Sequence, residues 1–118
     1  MINEYIKSNI KNHALESAPL ECCGFIVNKD SNRQEFIKSK NFSKQSNCFE
    51  ISPAEYLNIK NNYDILYIYH SHPNTKDENF SYLDKQMSKN LLINLILYII
   101  DLDIFKIYNF KNDEVIYG

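Results

Sequence analysis

The sequence predicts a mixed α/β fold of the α+β kind, a sheet with helices packed on it, and three observations point there. Helical periodicity occurs in short segments, as at Ile2, Tyr5, Ile6 and Ile10. Between such segments lie apolar runs of strand length, most clearly Ile65-Leu66-Tyr67-Ile68-Tyr69. The resulting order of helix, hairpin, strand, helix, strand, helix and strands is that of a mixed sheet flanked by helices. The 118 residues leave room for one core, so residues 1–118 are expected to form a single domain.

The first helix should stop before Pro19, which cannot continue it. Glu21 to Val27 reads as a strand, Asn28 to Asn32 as a polar turn and Gln34 to Lys38 as the hairpin partner. Cys48 to Ile51 is expected to form another short strand. Ser52-Pro53-Ala54-Glu55 combines a capping serine, proline at the first helical position and glutamate three residues on. A second helix is therefore predicted from Pro53 to about Asn61, with Tyr56 and Ile59 toward the core. Ile65 to His70 is almost continuously apolar, as in a strand covered on both faces. Asn74 to Asn79 is a polar loop, and Ser81 followed by Asp84 marks a third helix from Tyr82 to about Asn90. Leu95 to Ile100 and Ile104 to Phe110 read as strands, after which Asn112-Asp113 turns the chain into a last strand, Val115 to Tyr117.

Thirteen basic against fifteen acidic residues give a net charge of -2, which removes the electrostatic case for a nucleic-acid partner. Met1-Ile2-Asn3-Glu4-Tyr5 is not a secretory signal. Leu91 to Ile100 is about half the roughly 20 residues that span a bilayer, and Asn94 interrupts it. A soluble, cytoplasmic protein without a membrane partner is expected, of no particular oligomeric state. Cys22, Cys23 and Cys48 are odd in number and lack C-x-x-C spacing, so they read as small buried apolar residues in a reducing compartment. His13, near the end of a lysine-rich helix, is expected to be a surface or C-terminal helix residue rather than a ligand. Tyr63, Tyr67, Tyr69, Tyr98 and Tyr108 lie in or near strands and are expected in the core or on the sheet.

The chemistry gathers at His70-Ser71-His72-Pro73. Side chains two apart on a strand share a face, so His70 and His72 can offer two imidazoles to one point. Pro73 ends the ladder and is expected to leave both rings at a sheet edge. Asp84 could add an oxygen ligand, and two His, one carboxylate and an open position make the ligand set of a catalytic zinc. Each part has an ordinary reading too. An H-x-H pair arises by accident, and Ser81-x-x-Asp84 is a serviceable capping box. Their coincidence after a buried strand is more specific. Zinc acidifies the water it binds to a pKa near ~7, but amide hydrolysis also needs a group to carry that proton to the leaving nitrogen. Glu21, opening a strand beside Gly24, is the candidate, although a solvated acid at a strand start is equally ordinary.

Taken together, Glu21-x-x-Gly24, His70-Ser71-His72-Pro73 and Ser81-x-x-Asp84 resemble the signature of the JAMM (MPN-plus, JAB) metalloprotease family. The likeness covers nearly the whole chain. It implies a mostly antiparallel, curved mixed sheet of the JAB/MPN, cytidine-deaminase-like architecture. It also implies one zinc per chain held by His70, His72 and Asp84, with Glu21 as proton carrier and Ser81 stabilising the oxyanion. Eleven residues separate His72 from Asp84, one more than is usual in the family. The extra residue is expected to bulge from the Asn74 to Phe80 loop without moving Ser81 or Asp84. Ala18 to Phe25 and Asn41 to Pro53 are similar to compact bacterial and phage members, including the JAB domain of phage tail assembly proteins.

The expected function is a zinc-dependent peptidase or isopeptidase acting on an amide near a protein tail, of a ubiquitin-like β-grasp protein or of a phage tail component. Recognition is expected to use strand addition at a free sheet edge. The alternative is an assembly module, of a phage tail or another complex, that keeps the fold and metal site with little catalysis. A third reading, a thiol hydrolase using Cys22 or Cys23 with His70, requires inhibition by iodoacetamide and not by chelators.

Overall fold

Three helices and six strands alternate along the computed structural model, which describes residues 2–30, 33–45, 47–74 and 78–118. In chain order they are α1 (Glu4–Ser17), β1 (Cys23–Asp30), β2 (Arg33–Ser39), α2 (Pro53–Asn62), β3 (Asp64–His72), α3 (Tyr82–Leu91), β4 (Asn94–Ile99), β5 (Ile104–Asn109) and β6 (Glu114–Tyr117). The strands form one sheet in the order β2-β1-β3-β4-β5-β6. Among the described residues only the β3–β4 pair is parallel, and α3 makes the crossover between its strands. The α+β expectation, a mixed and mostly antiparallel sheet flanked by helices, is what is found.

Local chemistry accounts for the helix boundaries. Asn3 caps α1 by accepting from the Ile6 N–H at 2.8 Å, and the helix ends just ahead of Pro19. Its buried stripe is Ile6, Ile10, His13 and Ala14, whereas Tyr5 lies in solvent. Ser52 caps α2 with Pro53 at the first helical position, and Ser81 caps α3 through a reciprocal capping box.

The helices divide between the two faces of the sheet. Ile6, Ile10 and Ala14 of α1 pack on Ile26, Tyr69, Ile96 and Phe105. On the opposite face Ile59 of α2, with Tyr56 beside it, and Met87 and Leu91 of α3 pack over Phe25, Ile68, Leu95 and Leu97. Among the described residues no helix is long and apolar enough to cross a membrane.

Three sequence expectations need correction. The turn foreseen over residues 28 to 32 is tighter, because β1 runs on to Asp30 through an irregularity and pairs with Arg33. Ser31 and Asn32 themselves lie outside the described residues. Cys48 to Ile51 is not a strand. The Asn41 side chain accepts from the Glu50 N–H and donates to the Cys48 carbonyl, so it takes backbone groups that a neighbouring strand would otherwise pair. Finally, β3 is not at the sheet edge: it lies between β1 and β4 and simply ends at His72, ahead of Pro73. Proline fixed where the ladder stops and carried no information about the flanking strands.

Gly24 pairs with Tyr69 across β1 and β3, and the Tyr69 ring lies where a side chain would be. A Cβ there would stand 2.5 Å from the ring and against the Ile37 carbonyl. Gly24→Ala is therefore expected to cost about 2–3 kcal/mol through overpacking, read as a lower urea midpoint at unchanged slope.

Candidate metal centre

The register of β1 against β3 places the first part of the site. Cys23 pairs with His70, and the chain continues antiparallel beyond the formal start of β1. The Ser71 N–H donates to the Cys22 carbonyl at 3.1 Å, which sets Glu21 opposite His72. Opposed residues of an antiparallel pair share a face, as do His70 and His72 by the strand period of two. Glu21 Oε2 accordingly lies 3.8 Å from His72 Nε2. One ligand atom each from Glu21, His70 and His72 falls within 4.8 Å of the others, and all three residues are buried.

The first turn of α3 brings the second part. The Ser81 hydroxyl accepts from the Asp84 N–H at 3.0 Å, while Asp84 Oδ2 accepts from the Ser81 N–H at 2.9 Å. The same Oδ2 lies 3.3 Å from His70 Nε2. Burial pushes the Asp84 carboxyl up, but His70 and the Ser81 donors outweigh it and hold the pKa down to about 2. The group is thus ionised in any ordinary buffer, the form in which it would ligate a cation. The cap uses one acceptor lone pair of the Ser81 hydroxyl and leaves its proton to be donated.

Aromatic side chains and one buried lysine hold these elements together. Phe49 stacks on His70 with ring centroids 4.6 Å apart, and buried Phe80 fits between His70 and Tyr108 at 5.8 Å from each. Lys106 on β5 donates to the Glu78 carbonyl at 2.6 Å. These contacts anchor the end of the long connection ahead of Ser81. Residues 75–77, within the loop expected to bulge, lie outside the described residues.

Among the described residues the atoms close enough to share one ion are those of Glu21, His70 and His72, and Asp84 reaches this group through His70. Two donors about 2.0–2.1 Å from one tetrahedral ion lie about 3.3 Å apart, which is the His70 to Asp84 separation. Two imidazoles and a carboxylate are borderline-to-hard donors suited to zinc. Phe49 and Phe80 shield His70 from water. Glu21 is buried, with its carboxylate 3.8 Å from His72 Nε2 and in one group with both imidazoles.

Of the sequence-predicted site residues, Glu21, His70 and His72 form one buried group, Asp84 meets His70, and Ser81 is joined to Asp84 through the helix cap. Other expectations fare differently. Cys22 and Cys23 are buried free thiols, as expected, and burial pushes them up to about 11 and about 12. Neither supplies a thiolate near neutral pH, so the thiol-hydrolase reading lacks its nucleophile. His13 lies in the second half of α1, as one form of the expectation had it, but is 8% exposed rather than at the surface, with Nδ1 2.6 Å from the Tyr69 hydroxyl. Burial, with Lys38 nearby and against Glu16, holds its pKa below the usual value. The helical spacing from Ile6 and Ile10 to His13 could have shown this. Sequence reasoning also missed Asn41, Phe49, Phe80 and Lys106, whose roles come from contacts distant in the chain.

With the geometry in view, comparison with known proteins places the chain. The sequence profile described as prokaryotic homologs of the JAB domain matches residues 3–112. The chain belongs to that family, a prokaryotic branch of the JAB/MPN domains. The protein is similar in fold to one from Desulfitobacterium hafniense solved in solution, with a TM-score of 0.70 at 18% identity. That match covers 98% of this chain and 87% of the other. It is also similar to the crystal structure of a JAB1/MPN domain protein from Archaeoglobus fulgidus, with a TM-score of 0.63 at 18% identity over 94% and 89% of the two chains. No curated protein matches the sequence.

Purified protein supplied with zinc is expected to hold about one ion per chain by elemental mass spectrometry, whereas His72→Ala and Asp84→Ala should hold none. Stripping the ion with a chelator should also lower the midpoint of thermal unfolding, because a ligand bound only to the native state stabilises it.

Proposed function

We propose that the protein is a zinc-dependent peptidase or isopeptidase. The observation that carries this reading is the buried Glu21 carboxylate beside the two imidazoles and Asp84 at the end of β3. A structural cation needs ligands alone. A second carboxylate, outside the His70, His72 and Asp84 set yet within reach of the same point, is what proton transfer during hydrolysis requires.

His70, His72 and Asp84 would hold the ion, which supplies Lewis acidity and lowers the pKa of water when bound. Glu21 accepts the proton from the attacking water and delivers it to the leaving nitrogen. Its burial against His72 keeps it pointed at that water and limits competing solvent. The Ser81 hydroxyl donates its free proton toward the developing oxyanion, with the α3 cap fixing its Oγ. Phe49 and Phe80 confine His70 between rings, so the donor set is held without reorganisation during the reaction.

Both neighbours of β3 are occupied, so a substrate tail cannot add a strand beside the histidines. It would instead approach through the cleft of about 480 Å³ between the 42–50 loop and the start of α3, lined by Phe42, Phe49, Glu50 and Leu83. Exposed Tyr82 and Leu83 and half-exposed Phe42 add apolar surface suited to an extended tail. A ubiquitin-like tail or a phage tail component as the substrate rests on sequence resemblance alone.

The test is hydrolysis of a mixture of internally quenched fluorogenic peptides by the zinc-loaded protein. Cleavage should vanish on chelation and return with zinc. Glu21→Ala should keep the metal while losing about 10²–10⁴-fold in rate. A zinc-loaded wild type that cleaves nothing, and behaves as Glu21→Ala does, would remove the enzyme reading in favour of an assembly module.

A further inference from the structure

We infer that Asn41 and Ser71 are positioning residues for Glu21, clamping the peptide group between Glu21 and Cys22 from its two sides. This rests on Glu21 being the proton carrier. Ordinary strand pairing has not begun at this peptide, since β1 starts at Cys23. Side chains supply its partners instead. Asn41 Nδ2 donates to the Glu21 carbonyl at 2.9 Å. On the other side of the same peptide, the Cys22 N–H donates to Ser71 Oγ at 2.9 Å. The Ser71 N–H also donates to the Cys22 carbonyl, so two successive carbonyls and the amide between them are fixed. A peptide plane held at both ends fixes the Cα–Cβ direction of Glu21, and with it the carboxylate near His72.

Asn41 does more than hold one carbonyl. Nδ2 also donates to the Cys48 carbonyl at 3.2 Å, and Oδ1 accepts from the N–H groups of Ser43 and Glu50 at 2.9 and 3.0 Å. All four partners are backbone groups of fixed polarity, so only one orientation of the amide satisfies them. This side chain joins the segment bearing Glu21, just ahead of β1, to the loop bearing Phe49, which stacks on His70. Ser71 complements it from the opposite face of β3, because it alternates with His70 and His72. The serine between the two histidines thus anchors the base without facing the metal.

The clamp is tested on the 118-residue chain with the metal alone, by amide exchange and by the carboxyl resonance of Glu21 in protein carrying ¹³C-labelled glutamate. Glu21→Gln identifies that resonance by its loss. Asn41→Asp removes both Nδ2 donors while keeping the oxygen that orders the loop. In it the Cys22 amide should exchange about tenfold faster, and the Glu21 resonance should shift, while Phe25 and Ile68 exchange at wild-type rates. Ser71→Ala should give the same signature at Cys22, and Ser71→Thr, which keeps Oγ, should restore it. Zinc uptake should stay at wild-type stoichiometry in all three. On the best-cleaved peptide, kcat of Asn41→Asp and Ser71→Ala should fall about 10–100-fold with KM within twofold, and Ser71→Thr should recover it. Unchanged Cys22 exchange and Glu21 resonance in both Asn41→Asp and Ser71→Ala would overturn the inference. Uniformly faster exchange along β1 and β3 would overturn it as well, by showing general loosening. A wild type that takes up no zinc would sink the hydrolase reading, while the exchange and resonance data would still decide the clamp.

Discussion

The pairing of Cys23 with His70 is the constraint on which the site depends. It aligns Glu21 with His72 two positions on, and a slip of one residue would turn the carboxylate to the opposite face of the sheet. Apolar packing resists that slip. Phe25 and Val27 point to the α2 and α3 face with Ile68, and Ile26 points to the α1 face with Tyr69. The placement of Glu21 against the histidines is thus secured by the alternation that builds the two cores, and Asn41 ties down the Phe49 segment beside them.

β3 carries both halves of this arrangement. His70 and His72 face α3, while Tyr69 and Ser71 face α1. Tyr69 lies over Gly24 and meets His13 of α1, a contact in which burial keeps the imidazole neutral enough to share a hydrogen bond with the phenol. Alternate residues are packing anchors on one face and candidate ligands or their neighbours on the other. Such support from behind is what holds donor atoms within a few tenths of an ångström of a working geometry. The other contact, Asp84 with His70, comes from a helix whose capping box uses the same carboxylate, so forming the first turn of α3 also sets Asp84 beside His70.

Much of this was readable in the sequence because the signals were local. Capping residues marked α2 and α3, apolar runs marked β3 and β4, and the spacing of His70 and His72 put two imidazoles on one face. Glu21 was legible only through the family resemblance, since a lone acid before a strand carries no mark of its partner 51 positions away. Failures had the opposite character. Cys48 to Ile51 looked like a strand because nothing local shows that Asn41 has taken its backbone partners. The supposed edge position of β3 failed because strand order is a property of the whole sheet. His13 was misplaced by attention to its charged neighbours, when its spacing from Ile10 already set it on the buried stripe.

The most direct test of the account is the position of the metal itself. Crystals grown with zinc should give, at the zinc absorption edge, one anomalous peak per chain bounded by His70, His72 and Asp84, with the Glu21 carboxylate facing it from β1 and outside its ligand shell. A peak at another place, or none at full zinc supply, would contradict the claim that this register exists to present a hydrolytic metal to Glu21.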